Sequence, residues 1–431
     1  MSENDPLLLA GSYGKSFAGR LGEKGCQEAE LATITRLLPP RFSNMSTLRT
    51  RLHILLYWLV GFLKSTILKE FCEVIPDCFK VIHLSSVTTE ILCGSISIPK
   101  NPFQSPRIIP PAFAGAHIVV APEYSTLTHG GAIETKISIL NEAYEGDLIT
   151  NKLVKLGQVQ IDPTQKQELE RLGVEYEPSE ATLKYRSDIV VLAASHPFPR
   201  NVLGPMIGLG HLDRFRVVQY KITREIAAEY LQENHVLDKS LQQQLKAQNT
   251  TLSKTRIISM DAAPNNLLKP IYSKLLTLTE IPDMRIKGDI LRTAAAHMVL
   301  RHFAEGNLKE VYTEQDYSIA EVDFISERLN EFVEPRIRPL VADGYSEIET
   351  ERVGYRVSTH IDAFLTASKS EGKMGEPLKA IVDYVQSKMP VHYQTVRNNL
   401  QELVRQGKVE KVPEKFGYYR LTEKELGDLS Q

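Results

Sequence analysis

Five short apolar runs constrain this chain more than any other feature. They are LHILLYW (52–58), FKVIHLSS (79–86), AHIVVA (116–121), SDIVVLAAS (187–195) and FRVVQYKI (215–222). Between them lie stretches with helical spacing, STILKEFCEVI (65–75) and AIETKISILNEAYEG (132–146), and a pair of strand candidates in LITNKLVKLGQVQID (148–162). Apolar strands separated by helices build a parallel sheet covered on its faces, so residues 51–223 are expected to form an α/β core. Past residue 223 the apolar residues recur every three or four positions, in ITREIAAEYLQENH, LLKPIYSKLLTLTE, MRIKGDILRTAAAHMVLRHFA and AEVDFISERLNEFVEPRIRPLV. That spacing predicts an α-helical lobe over 224–341, followed by a polar linker (342–375) and a small unit (376–424). Residues 1–50, Gly-rich and broken by Pro39-Pro40, are expected to be a tail or linker.

The length, 431 residues, accommodates two to four domains at ~100–200 residues each. Lys and Arg number 51 against 53 Asp and Glu, a net −2 that excludes a chain basic all over but not a local basic patch. Cys26, Cys72, Cys78 and Cys93 form no CxxC pair, so no zinc ribbon or disulfide framework is signalled. Four scattered thiols, and an N-terminus without the features of a signal peptide, lead us to expect a cytoplasmic location, nucleoid-associated in a prokaryote. The longest apolar run, residues 53–63, is about half of the ~20 residues a membrane helix needs. It is expected to be a buried strand and loop.

Phosphate-binding loops sit between a strand and a helix, where helix N-terminal amides and a lysine face the anion. The string Gly11 to Ser16 lacks that setting. WLVGFLKST (58–66) has it, with a strand before and a helix after. There Gly61 gives the turn, Lys64 would reach the phosphates, and Ser65, followed by Thr66, would hold Mg²⁺. Downstream, AHIVVAPEY ends its strand on Glu123, a candidate for orienting water, and SDIVVLAASH ends on His196. Arg214 stands just before the strand FRVV, and Arg285 opens the helix that starts MRIKGD. A loop lysine, a strand-end glutamate, a strand-end polar group and two arginines suit nucleotide hydrolysis at a subunit interface.

The C-terminal unit carries its own signal. GEPLKAIVDYVQSK (375–388) and PVHYQTVRNNLQELVRQGKV (390–409) are amphipathic helices, and VEKVPEKFGYYRL (409–421) is a hairpin. Helix, turn, helix and hairpin is the order of a winged helix. From 372 to 424 there are ten Lys and Arg against six Asp and Glu, a local +4. Thr395, Arg397 and Asn398 on the second helix, with Lys411, Lys415 and Arg420 on the wing, are the candidate DNA contacts. A winged helix used for protein contacts is the alternative.

These segments, in this order, resemble the AAA+ motor of the minichromosome-maintenance (MCM) replicative helicases. LHILLYWLVGFLKSTILKEF resembles their Walker A unit, HIVVAPEYSTL their Walker B strand, and VLAASHPFPR their sensor 1 strand. LDRFRVV resembles the arginine-finger motif, and MRIKGDILRTAAAHMVLRH the sensor 2 helix. SSVTTEILCGSIS and ISILNEAYEGDLITNKLVKLG resemble the segments after the second strand and around the pore hairpin, and MCM chains also end in a winged helix. The resemblance implies an AAA+ P-loop domain with a helical lid and a C-terminal winged helix, binding ATP with Mg²⁺. It assigns Lys64 and Ser65 to Walker A, Glu123 to Walker B, His196 to sensor 1, Arg214 to the finger and Arg285 to sensor 2. The two arginines would act on a neighbour's nucleotide, implying a hexameric ring of identical or related subunits. Lys152 or Lys155 on the pore hairpin would touch DNA. The chain departs from the pattern at Trp58 in place of a loop glycine, Pro122 in place of the Walker B aspartate, and His196 in place of asparagine. It also leaves only about 50 residues where the family has an N-terminal DNA-binding domain. Pro122 supplies no carboxylate, which leaves open a non-hydrolysing AAA+ scaffold acting as a DNA-binding replication accessory or regulator. The shortness of each motif match also leaves open a transcription regulator from another AAA+ branch.

Overall fold

The five apolar runs pair into one parallel sheet. The computed structural model describes residues 7–57, 63–84, 88–97, 106–124, 133–153, 161–196, 198, 205–206, 208–219, 228, 238–278, 284–337, 357–388, 393–413 and 415–422. They fall into two units, 1–342 and 343–431. In the first, strands β1 (His53–Tyr57), β2 (Val81–His83), β3 (Ile118–Ala121), β4 (Val190–Ser195) and β5 (Phe215–Gln219) are all parallel, in the order β5-β1-β4-β3-β2. Their side chains alternate between two cores. Ile54, Leu56, Ile118, Val120, Val190, Leu192 and Ala194 enter one; Leu55, Tyr57, Val119, Ala121, Val191 and Ala193 enter the other. The uninterrupted apolar runs of β1, β3 and β4 therefore reflect strands buried on both faces, while the edge strand β2 is only partly buried.

Helices α1 (Leu8–Thr35) and α2 (Lys64–Cys72) cover the first core. The second is covered by α3 (Ile133–Glu145) and by a small antiparallel sheet of Leu148–Lys152, Thr182–Arg186 and Val174–Glu177. Strand Leu148–Lys152 thus pairs with Thr182–Arg186. The partner expected at the far end of 148–162 lies largely outside the described residues, and Pro163–Arg171 is a helix capped by Asp162. Helices α4 (Lys239–Lys254), α5 (Asn265–Leu278), α6 (Met284–Ala304) and α7 (Ile319–Ile337) share the first core with α1 and the sheet. The described helices of the α-helical lobe expected over 224–341 and the sheet bury one continuous apolar cluster.

The expected N-terminal tail is corrected. Residues 8–35 are helical, and their glycines serve close packing. Gly19 has φ +57°, which reverses the chain, and a Cβ on Gly14 would come within 2.4 Å of the Gly22 and Glu23 backbone. In a straight helix residues 14 and 23 would stand about 13 Å apart. Only glycine lets two backbones meet this closely. Lys15 of the discarded phosphate-loop string pairs instead with Glu23.

Buried ions fasten α1 to the sheet. Glu28 accepts from Arg216 Nε and Nη2 of β5 at 2.7 and 2.8 Å, and the Arg216 guanidinium stacks 3.6 Å over the Phe332 ring of α7. Arg51, just before β1, donates two 2.7 Å bonds to Asp188 and a third to the Leu38 carbonyl. Removing one partner of such a buried pair strands the other charge, so each acts as a strong constraint on placement.

Below the sheet, His53, Tyr124, Tyr144, His211 and Phe215 form an aromatic cluster. His53 Nε2 donates to the Tyr144 carbonyl at 3.1 Å, and its Nδ1 accepts from the Val191 amide. That pattern holds the ring as a neutral tautomer.

The second unit is a helix-rich domain on a three-stranded antiparallel sheet. Residues 357–370 (α8), β6 (Glu376–Pro377), α9 (Leu378–Lys388), α10 (Tyr393–Arg405), β7 (Val409–Lys411) and β8 (Tyr418–Leu421) follow in order, the strands pairing as β6-β8-β7. Its core joins Val357, Ile361 and Leu365 to Ile381, Val385, Val396, Leu400 and Leu403. The linker expected over 342–375 is corrected here, because α8 is a structural helix of this unit.

Burial drives the His53 and His211 imidazoles down to about 3. The unfolded chain, with ordinary histidines near 6.5, then binds protons that the folded chain refuses. Stability is therefore full above pH 6.5 and falls as pH drops below it, by about 1.4 kcal/mol per pH unit per histidine. Urea unfolding at pH 7.5, 6.0 and 5.0 checks this: the wild-type midpoint should fall across the series, and His53→Gln should flatten the slope.

Candidate functional site

Because the central strands β1, β3 and β4 pack apolar side chains into both cores, the candidate polar side chains gather at the strand ends. At the C-terminal ends, Tyr57 of β1 lies opposite Ser195 of β4, and Ala121 of β3 opposite Ala193. The residues following these three strands converge. Lys64 opens α2, preceded by Leu63 at φ +54°. A β-unbranched but bulky residue in the left-handed region costs about 1–2 kcal/mol, and it aims the helix N-terminus at the strand ends. Ser65 Oγ lies 2.6 Å from the Pro122 carbonyl and 2.7 Å from Glu123 Oε1. His196 Nδ1 stands 3.7 Å from Glu123 Oε2. Lys64 is buried, and burial lowers its pKa to about 8, with Glu123 acting in the opposite sense. Thr66 is exposed on the first turn of α2, and Gly61 lies outside the described residues.

The structure thus brings Lys64, Ser65, Glu123 and His196 into one open cleft formed by a helix N-terminus, a lysine and a carboxylate. Such a cleft is suited to a phosphorylated ligand. Where an aspartate was expected, the Pro122 backbone carbonyl faces Ser65, offering a neutral oxygen in place of a negative one. Among the described residues no group of three His, Cys, Asp or Glu side chains could hold a metal ion. The oxygens of Ser65, Pro122 and Glu123 fit a hard cation that arrives on its own phosphate ligand, as Mg²⁺ does.

Arg214 and Arg285 meet elsewhere. They sit at the N-terminal ends of β1 and β5, about 15 Å of strand from the cleft. Both donate to the Gly210 carbonyl, at 2.6 and 3.2 Å. Arg214 also pairs with Glu145 at 2.5 Å, and Arg285 lies 3.6 Å from Asp213. They line a cavity of about 340 Å³ together with Arg41, Arg49, Arg51, Arg292, His53, Glu145, Asp147 and Asp213. Six arginines against three carboxylates leave the walls at +3. Burial lowers the Arg214 and Arg49 pKa values, most of the opposition coming from Glu145 and Asp188 respectively. The guanidinium of Arg49 occupies the space a Cβ on Gly146 (φ +60°) would need, and donates to the Gly146 carbonyl at the end of α3.

Sequence reasoning did not reach Arg41, Arg49, Arg51 or Arg292. Arg292 follows Arg285 by seven residues, two helical turns, so their shared face was visible in the spacing. The others come from a loop whose path only the fold determines. The DNA candidates are a separate set. Lys152 is exposed at the end of its strand, and Lys155 lies outside the described residues. In the C-terminal unit Arg397 and Asn398 are exposed on α10, and Thr395 is half-buried. Lys411 and Lys415 are exposed on the hairpin, and Arg420 pairs with Glu410 at 2.6 Å.

No protein-family model matches the chain, and no curated protein matches it. Among the described residues no helix is long and apolar enough to cross a membrane.

Lys64 should titrate near pH 8 rather than near 10.4. Amine acylation followed across pH by peptide mass spectrometry measures this directly. In Glu123→Gln the midpoint should drop further, since the carboxylate favours the ammonium form.

Proposed function

We propose that this protein is an AAA+ ATPase of the MCM type, binding ATP with Mg²⁺ in the Lys64 cleft and DNA through its C-terminal unit. One observation carries the reading: the candidate residues divide into two groups at opposite ends of the same strands, a phosphate-type cleft and a pair of arginines. In a head-to-tail assembly the arginines of one subunit face the cleft of the next, and such an interface closes into a ring when its rotation permits. The strand order, with β1 between β4 and β5, also places the cleft at a topological switch point.

In this mechanism the α2 amides and Lys64 hold the β- and γ-phosphates. Glu123, fixed by Ser65 and His196, orients a water toward the γ-phosphate. The neighbouring subunit's Arg214 and Arg285 neutralise the charge that spreads over the γ-oxygens in the transition state. When bound, Mg²⁺ would neutralise charge on the phosphates; Ser65 would hold it, and Pro122 would offer only its carbonyl. That weaker cation site favours slow turnover, and it is the observation behind the second reading, a nucleotide-binding scaffold that does not hydrolyse.

The C-terminal unit, as a winged helix, would lay α10 in a major groove with Arg397 and Asn398 toward base edges. Lys411 and Lys415 on the wing would meet phosphates. Fluorescence anisotropy on duplex DNA across a salt series tests it. Replacing both lysines by alanine should reduce the slope of log K against log salt by about two; an unchanged slope defeats this part of the reading.

ATP turnover with and without DNA tests the motor. Lys64→Ala and Glu123→Gln should each lose at least about a hundredfold. Equal turnover in all three proteins removes the ATPase reading, and nucleotide binding without turnover selects the scaffold. Mixing inactive Lys64→Ala and Arg214→Ala subunits should restore about a quarter of the activity, because one interface in four then combines two intact halves.

A further inference from the structure

The cleft and the arginine cavity are joined by a buried chain of hydrogen bonds. Tyr124 follows Glu123 directly, and its side chain enters the interior while that of Glu123 faces the cleft. Tyr124 Oη lies 2.8 Å from Tyr144 Oη and 2.6 Å from His211 Nε2. His211 Nδ1 lies 2.5 Å from Asn141 Oδ1, and Asn141 Nδ2 donates to the Leu209 carbonyl at 3.1 Å. His211 follows Gly210, whose carbonyl binds both Arg214 and Arg285.

The partners determine the direction of every bond. Asn141 Oδ1 can only accept, since the Asn141 amide nitrogen is already donating to Leu209. His211 therefore carries its proton on Nδ1 and accepts at Nε2 from the Tyr124 hydroxyl, which in turn accepts from Tyr144. Tyr124 and His211 are fully buried, and Asn141 and Tyr144 nearly so. Water cannot replace a lost partner there at no cost.

We infer that Tyr124 and His211 are a positioning pair. They set the Gly210 carbonyl, and with it Arg214 and Arg285, against Glu123, so that occupancy of a subunit's own cleft governs the arginines it presents to its neighbour. The inference rests on the ATPase reading above. The backbone at Glu123 cannot shift when nucleotide enters without moving the Tyr124 ring. That ring cannot move without either breaking the bond to His211 or carrying the 209–211 segment along.

Hydrogen–deuterium exchange of the 205–214 peptide in the full-length chain, with and without a non-hydrolysable ATP analogue, tests the coupling. In wild type the analogue should change exchange in this peptide. Tyr124→Phe, which keeps the ring and deletes the donor to His211, should bind the analogue with unchanged Kd but lose that response. Its kcat should fall by about five- to tenfold at constant KM, the worth of one buried hydrogen bond. Tyr144→Phe removes a neighbouring buried hydroxyl but leaves the Tyr124–His211 bond, and should keep both response and kcat. If both variants behave alike, the pair has only a structural role and the inference is overturned. It is equally overturned if nucleotide binds wild type without changing exchange at 205–214. Failure of wild type to bind nucleotide at all defeats the ATPase reading itself, and the coupling with it.

Discussion

Strand β1 sends apolar side chains into two cores, and it lies between β4 and β5. Ile54 and Leu56 are buried in one core, Leu55 and Tyr57 in the other. A strand in this position can present chemistry only at its two ends. The placement of the candidate residues follows from that restriction: Lys64, Ser65, Glu123 and His196 at the C-terminal ends, the arginine cavity at the N-terminal ends. The separation of the two groups by a strand length is therefore a property of the sheet.

The charged interior serves the same geometry. Arg51 with Asp188, and Arg216 with Glu28, tie α1 and the chain before β1 to the strands they cross. In the helical layer Glu321 accepts from Arg301 and from the amide and hydroxyl of Ser318, and pairs with His297 at 3.0 Å; these partners overcome its burial and lower the carboxyl to about 2. Each arrangement needs several donors aimed at one carboxylate, which makes it specific to one packing of the helices. The histidines beneath the sheet are the opposite case, held neutral by burial, so that acid acts on the same region that joins the two candidate sites.

Several elements were legible before the fold was known, for definite reasons. Strands β1, β3 and β4 announced themselves because burial on both faces removes polar residues from the run. The helices α2, α5, α6 and α7 showed their apolar spacing, and the hairpin of β7 and β8 showed its turn. Lys64, Ser65, Glu123 and His196 were identifiable because each stands where an apolar run stops. The N-terminal helix was not, because glycines that permit close backbone contact have the same composition as glycines in a mobile tail. Helix α4 was hidden by its polarity, and α8 by its position between two polar stretches. The pairing of strand Leu148–Lys152 with Thr182–Arg186 was not legible because antiparallel pairing depends on long-range register, which adjacent sequence does not encode.

By itself, the sequence determined that this chain has a parallel sheet with helices on its faces, which residues end its strands, and that a near-neutral total conceals a local +4 over residues 372–424. Those properties depend on composition and local period, which each segment carries alone. Only the tertiary structure decided that Arg214 and Arg285 share the Gly210 carbonyl, that four further arginines join them, and that Tyr124 reaches His211. These pairings join residues tens to hundreds of positions apart. Their proximity is settled by strand order and by which helix covers which face, and no local pattern records either.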